Sequence, residues 1–152
     1  MFQIPAWLLL SNTCELQNLK ESAYNIKELE TLTNKRILII DDETDICFLL
    51  ASVLKKKGFE VSYVNSLTDG FPKVADIQPA VLFLDINLPD GSGLESITKI
   101  KALSLNTKII MISAYDSPKE RTIANEKGAD FFIGKPFNKE LVWSAIDVVY
   151  NA

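Results

Sequence analysis

From Lys35 onward the sequence alternates apolar runs of strand length with stretches of helical periodicity, and no other feature constrains the fold as tightly. Five strands are expected, at residues 36–40, 60–64, 80–84, 108–112 and 130–133. Three of these are nearly continuous Ile, Leu, Val or Phe, the pattern of strands covered on both faces. The expected class is therefore α/β: repeated strand–helix units around a mostly parallel five-stranded sheet. The first helix carries Ile46, Leu49, Leu50, Val53 and Leu54 at i, i+3, i+4, i+7 and i+8, and stops at Lys55-Lys56-Lys57-Gly58. Cations in its last turn and glycine at its end suit the helix dipole and a left-handed cap.

The later helices are less uniform. Gly70 and Pro72 disturb the second, which is expected to begin near Asp69 or to kink. The third starts after Ser92 with Leu94, Ile97 and Ile100 on one face. The fourth opens on Ser117-Pro118-Lys119-Glu120, an N-cap serine, a proline at the first helical position and a capping-box glutamate. It offers only Ile123 and Ala124 as apolar anchors. The fifth, from Lys139 to about Tyr150, puts Leu141, Val142, Ala145, Val148 and Val149 on one face, and Trp143, Ile146 and Tyr150 widen the arc to roughly 220°. A sheet needs less than that, so something is expected to cover the second stripe. One candidate lies ahead of the domain, where Leu16, Leu19, Ala23 and Ile26 repeat at helical spacing, to dock in cis or to pair with another chain.

Composition narrows the function. At 152 residues and 47% apolar, the chain holds one globular domain, residues 35–152, behind an extension over residues 1–34. Histidine is absent, which excludes histidine triads, His-ligated zinc and phosphohistidine carriage. Sixteen basic residues against twenty acidic ones, a formal charge of −4, argue against direct nucleic-acid binding. Trp7 to Leu10 is too short an apolar run to span a bilayer, and no basic residue precedes it. Cys14 and Cys47 give no disulfide framework and point to a reducing compartment, and Cys47, inside an apolar helical pattern, is expected to be a buried thiol. These features predict a cytoplasmic protein with no membrane association.

In an open parallel sheet the functional crevice lies beyond the C-terminal strand ends. Strand one ends in Asp41-Asp42, strand three in Asp85 and strand four in Ser113-Ala114, while strand five runs into Lys135-Pro136-Phe137. Carboxylates this close repel unless they share a cation, and a hard divalent ion such as Mg²⁺ takes oxygen ligands and keeps waters for phosphate oxygens. Lys135 supplies a mobile charge for Asp85 or for a phosphoryl oxygen, and Ser113 supplies a hydroxyl donor. With these in place Asp85 is fit to attack phosphorus and form an acyl phosphate.

The segments ILIIDDE, VLFLDINLPDGSGLE, IIMISAY and GADFFIGKPF resemble, in order and spacing, those of the receiver domain of two-component response regulators. The resemblance covers Lys35 to about Ala152. It implies a flavodoxin-like doubly wound sheet in strand order 2-1-3-4-5, with Asp85 as phosphoacceptor. It further implies that Asp42, Asp85 and the Asn87 carbonyl ligate Mg²⁺ and that Asp41 holds it through water. Ser113 and Lys135 would contact the phosphoryl group, Pro136 would follow a cis bond, and Ser113 with Phe132 would form the switch. Serine stands where threonine is commoner, and Phe132 lacks a tyrosine hydroxyl.

The expected function is that of a single-domain response regulator, phosphorylated by a histidine kinase or a histidine phosphotransfer protein. It is expected to catalyse only its own Mg²⁺-dependent phosphorylation and dephosphorylation. Since no residues follow Ala152, output is expected through a downstream protein target or onward phosphorelay, with a homodimer through helix four, strand five and helix five or through the N-terminal segment as a further candidate. Two rivals exist. An aspartyl-phosphate phosphohydrolase of the haloacid-dehalogenase kind would carry a second aspartate two positions after the nucleophile, where this chain has Asn87. A phosphorylation-independent receiver-like interaction module would keep the fold without the chemistry.

Overall fold

Along β1 (Arg36–Ile40), Ile37 and Ile39 pack into one apolar cluster and Leu38 and Ile40 into another, because alternate side chains leave a strand on opposite faces. In this computed structural model, which describes residues 14–26 and 35–151, the pattern repeats across a parallel sheet that also contains β2 (Glu60–Val64), β3 (Val81–Asp85), β6 (Lys108–Ser113) and β7 (Phe131–Gly134). The sheet order is β2-β1-β3-β6-β7, which is 2-1-3-4-5 once the short strands β4 (Asn87–Leu88) and β5 (Gly91–Ser92) are set aside. Those two form a separate antiparallel ribbon immediately after β3. The expected α/β doubly wound fold is the one observed.

Two helices, α2 (Thr44–Lys55) and α6 (Lys139–Tyr150), pack on one face of the sheet. Helices α3 (Leu67–Ile77), α4 (Gly93–Leu103) and α5 (Pro118–Lys127) pack on the other. The continuous apolar runs of β1, β3 and β6 follow from this double cover, whereas edge strand β2 keeps Glu60 and Tyr63 exposed. The chain divides into two compact units, Met1–Thr33 and Asn34–Ala152. In the first, residues 14–26 form helix α1, with Leu16, Leu19 and Ile26 exposed. The Trp7–Leu10 run lies outside the described residues, and no helix among the described residues is long and apolar enough to cross a membrane.

Three local expectations change in the folded chain. The buried stripe of α2 is Cys47, Leu50, Ala51, Val53 and Leu54, so Leu49 faces outward, while Cys47 is buried as expected. Strand β3 runs one residue further than expected, carrying Asp85 into the ladder opposite Ile112, and β6 likewise includes Ser113. Helix α3 starts two residues before Asp69. Ser66 Oγ caps it by accepting the Asp69 N–H at 3.2 Å, and Asp90 from the ribbon accepts the N–H groups of Leu67 (2.9 Å) and Thr68 (2.7 Å) and the Thr68 hydroxyl (2.7 Å). A distant carboxylate thus satisfies the orphan donors of the first turn. Gly70 is explained by packing, since a Cβ there would lie 2.5 Å from Ile40 Cδ1.

Its hydrogen-bond donors hold Asp90 down at about 2. A depressed carboxylate contributes stability that is complete above its unfolded value near 4 and is lost as pH falls toward 2. Asp90→Asn is therefore expected to lower Tm at pH 6, and the gap to wild type is expected to close in melts run progressively closer to pH 2.

Part of the wide apolar arc of α6 is covered inside the same unit. Trp143 Nε1 donates to the Val53 carbonyl at 3.5 Å, the Lys57 ammonium lies 5.3 Å from the indole centroid, and Tyr150 meets Phe59 edge to face at 5.5 Å. The end of α2 and the turn after it therefore pack against Trp143 and Tyr150, while Tyr150 keeps 39% of its surface in solvent and Leu141 and Val148 stay exposed.

Candidate functional site

The sheet order reverses direction between β1 and β3, and a crevice opens at their C-terminal ends where the chain leaves to opposite sides. Asp41 and Asp42 leave β1 here and Asp85 ends β3, so that one carboxylate oxygen from each lies within 4.8 Å of the others. Asp41 is wholly buried and Asp85 is only 4% exposed, whereas Asp42 faces solvent. Among the described residues, this is the one group of carboxylate, thiol or imidazole side chains with metal-ligand spacing.

The two buried members are held by backbone N–H groups, Asp41 by Glu43 and Asp85 by Asn87. Asp41 Oδ1 accepts the Glu43 N–H at 2.9 Å, and the Asp41 carbonyl accepts Asn65 Nδ2 at 2.8 Å and the Cys47 thiol at 3.3 Å. Burial, then the Asp41 charge, push the Cys47 thiol up to about 11, which makes it a structural donor and not a nucleophile. The Lys135 backbone N–H donates to the Ser113 carbonyl at 2.7 Å, tying the end of β7 to the end of β6. The Lys135–Pro136 bond is cis.

The Lys135 ammonium serves all the carboxylates that face it. Its Nζ lies 2.6 Å from Glu43 Oε1, 3.0 Å from Asp41 Oδ2 and 3.7 Å from Asp85 Oδ2. Burial opposes its charge, but Glu43 and Asp41 outweigh burial and hold its pKa above the ordinary lysine value. One ammonium does not neutralise the group. Asp85 is pushed up to about 7, first by burial and next by the Asp41 charge, against the lowering effects of Lys135 and the Asn87 N–H. Asp41 is raised as well, chiefly by burial. Surplus buried negative charge among hard oxygen donors, with Asp42 open to solvent, fits a divalent cation.

Of the residues singled out in the sequence, Asp41, Asp42, Asp85 and Lys135 come together here. Asn87 opens the ribbon directly beyond Asp85. Ser113 ends β6, fully buried, and its Oγ accepts the Tyr115 N–H at 2.9 Å. Phe132 pairs with Met111 in the sheet and is 8% exposed, with the Arg121 guanidinium 4.8 Å from its ring. Arg121 also pairs with Asp116, donating from Nη2 at 2.7 Å, and so links the loop after β6 to α5 and β7. Sequence reasoning missed Glu43. The available signal was its place as N-cap of α2, where Ser, Thr, Asp or Asn is usual; its side chain makes no cap bond and reaches Lys135 instead.

Residues 37–147 match the response regulator receiver domain family. An uncharacterized transcriptional regulatory protein of Bacillus subtilis, YvcP, is 38% identical over 75% of this chain and 48% of its own length. The response regulator protein GraR of Staphylococcus saprophyticus is 29% identical over 76% of this chain and 51% of its own. The chain thus spans about half the length of the curated relatives it matches. A CheY-like receiver domain protein from Methanospirillum hungatei superposes with a TM-score of 0.73 at 31% identity, covering 78% of this chain and 94% of that one. The beryllofluoride-activated NtrC4 receiver domain dimer gives 0.73 at 31% identity, over 77% and 97%. The strand order, the acidic crevice at the β1/β3 strand ends and the sequence match over residues 37–147 agree, and the chain belongs to the response regulator receiver domain family.

Proposed function

We propose that Asp85 accepts a phosphoryl group from a histidine kinase or a histidine phosphotransfer protein. The observation that carries this reading is a nearly buried carboxylate, raised to about 7, at the end of a central strand beside two further aspartates and one shared ammonium. Asp42, Asp85 and the Asn87 carbonyl would hold Mg²⁺ directly and Asp41 through water; bound there, the ion supplies charge neutralisation for carboxylates and phosphoryl oxygens. An ionised Asp85 oxygen attacks phosphorus, the bond from phosphorus to the donor breaks, and the leaving group departs with that electron pair. Lys135 and the Ser113 hydroxyl stabilise the charge on the transferred oxygens. The protein in this role catalyses only its own phosphorylation and hydrolysis.

Ser113 and Phe132 form the switch, and the signal leaves through α5, β7 and α6 by contact with a target protein, by onward relay or by homodimerisation. Because Arg121 lies over the Phe132 ring and pairs with Asp116, a change at Ser113 has a short path to that face. The chain's net charge of −4 disfavours direct nucleic-acid contact. Free, buried Cys47 suits a reducing cytoplasm.

Intact mass spectrometry after incubation with acetyl phosphate and Mg²⁺ tests the reading. One phosphate adduct is expected in the native chain, none with a chelator and none in Asp85→Asn. A folded native chain that takes no phosphate would instead favour a phosphorylation-independent interaction module.

A further inference from the structure

We propose that Glu43 is a positioning residue, an exchangeable counter-ion that holds Lys135 away from Asp85 until a phosphoryl group arrives. The proposal rests on Asp85 being the phosphoacceptor. The geometry is asymmetric: Lys135 Nζ sits 2.6 Å from Glu43 Oε1 but 3.7 Å from Asp85 Oδ2, beyond hydrogen-bond range of the residue it is to assist. Lys135 is 10% exposed and has little freedom except along the carboxylates that line its path, Asp41, Glu43 and Asp85.

Glu43 differs from the other two partners. Its side chain is 57% exposed, whereas those of Asp41 and Asp85 are almost wholly buried, so Glu43 alone can turn to water at little cost when released. Its backbone is fixed independently, since the Glu43 N–H donates to Asp41 Oδ1 and the Glu43 carbonyl accepts the Cys47 N–H at 3.1 Å. The side chain is thus free to leave without disturbing the N-terminus of α2. An ammonium donates three hydrogens as a point charge on a flexible stem, and suits such an exchange better than a guanidinium. When the Asp85 oxygen bonds to phosphorus and the donor's leaving group departs, the new phosphoryl oxygens compete for Lys135. Lys135 gives up Glu43 and keeps Asp41.

The exchange costs one ion pair, so Glu43 favours the unphosphorylated state. Glu43→Gln is expected to raise the rate of phosphorylation by acetyl phosphate about two- to five-fold, the range of a partly exposed pair. Glu43→Asp keeps the charge but is one methylene too short for the contact, and is expected to behave like Glu43→Gln. Asp45→Asn, on an exposed acid in the same first turn, removes the same charge without touching Lys135 and is expected to leave the rate unchanged.

Equal acceleration by Asp45→Asn and Glu43→Gln would show a general field effect and overturn the proposal. So would a wild-type rate in Glu43→Gln, or a slower one. The pairing itself is read without phosphate: the Lys135 ammonium signal in ¹⁵N-edited NMR of the unphosphorylated protein is expected to shift in Glu43→Gln and to stay in Asp45→Asn. An unmoved signal there refutes the proposal while leaving Asp85 as phosphoacceptor intact. Loss of phosphate uptake in the wild type would instead overturn the phosphoacceptor reading, and this proposal with it.

Discussion

Asp85→Asn is expected to make the metal-free protein more stable, although it abolishes the proposed chemistry. In the folded chain Asp85 is raised to about 7 from its ordinary 3.8. The folded state therefore binds more protons than the unfolded chain between those values, and stability falls as pH rises through that window. Above pH 7 the cost is complete, on the order of 4 kcal/mol at roughly 1.4 kcal/mol per unit. Asparagine carries no charge and still accepts the Asn87 N–H, so the variant is expected to escape this cost at every pH. Thermal melts with a chelator are expected to show a Tm gap between variant and wild type that is small near pH 4 and widest at pH 8. Mg²⁺ is expected to narrow the gap at pH 8 by stabilising the wild type, since a ligand bound only to the folded state stabilises by mass action. A wild-type Tm that does not fall between pH 4 and 8 would refute the buried-charge account.

Gly93→Ala is expected to be among the most damaging single substitutions in the domain. A Cβ at Gly93 would stand 2.0 Å from the Asp85 carbonyl oxygen and 3.2 Å from Ile86 Cα, and both neighbours are backbone. The Gly93 N–H donates to the Ile86 carbonyl at 2.8 Å, which draws the start of α4 onto the end of β3. No rotamer change relieves a clash between main chains. Either α4 shifts away or the end of β3 moves, and the second displaces the carboxylate the site is built around. A loss of about 3 kcal/mol or more is expected, at the upper end for overpacking in a well-packed interior. In a domain of this size that lowers Tm by roughly 10 °C. Chemical denaturation measures the loss. In the surviving folded fraction, phosphate uptake from acetyl phosphate is expected to fall with it, because the close approach sets the position of Asp85. A variant as stable and as active as the native chain would show that α4 yields freely.

The site was legible in the sequence to the extent that strand-end chemistry is local. Asp41, Asp42, Asp85 and Ser113 each sit where an apolar run stops, and the switch-point rule for parallel sheets places such residues on one rim. Lys135 follows the last run in the same way. Side-chain direction within a helix was less legible. Leu49 fits the periodic stripe of α2 yet faces outward, whereas Cys47, expected as a buried thiol, does face inward, where it donates to the Asp41 carbonyl. The second apolar stripe of α6 is covered only in part: Ile146 is buried and Trp143 packs against α2, but Tyr150 stays exposed, and none of this is written in the helical period.

By itself the sequence determined the α/β class, the strand order through its resemblance to receivers, and the set of strand-end residues that meet in the crevice. It did so because burial on both faces demands unbroken apolar strands, and because side chains at strand ends have one direction to point. Only the tertiary structure decided which carboxylate holds Lys135, which carboxylate caps α3 and why Gly93 admits no side chain. Glu43 and Lys135 are 92 residues apart, and Asp90 lies 22 residues from the Thr68 N–H that it accepts. Contacts between such positions leave no periodic trace along the chain, since they arise when separately specified elements pack and leave particular polar atoms within reach of one another.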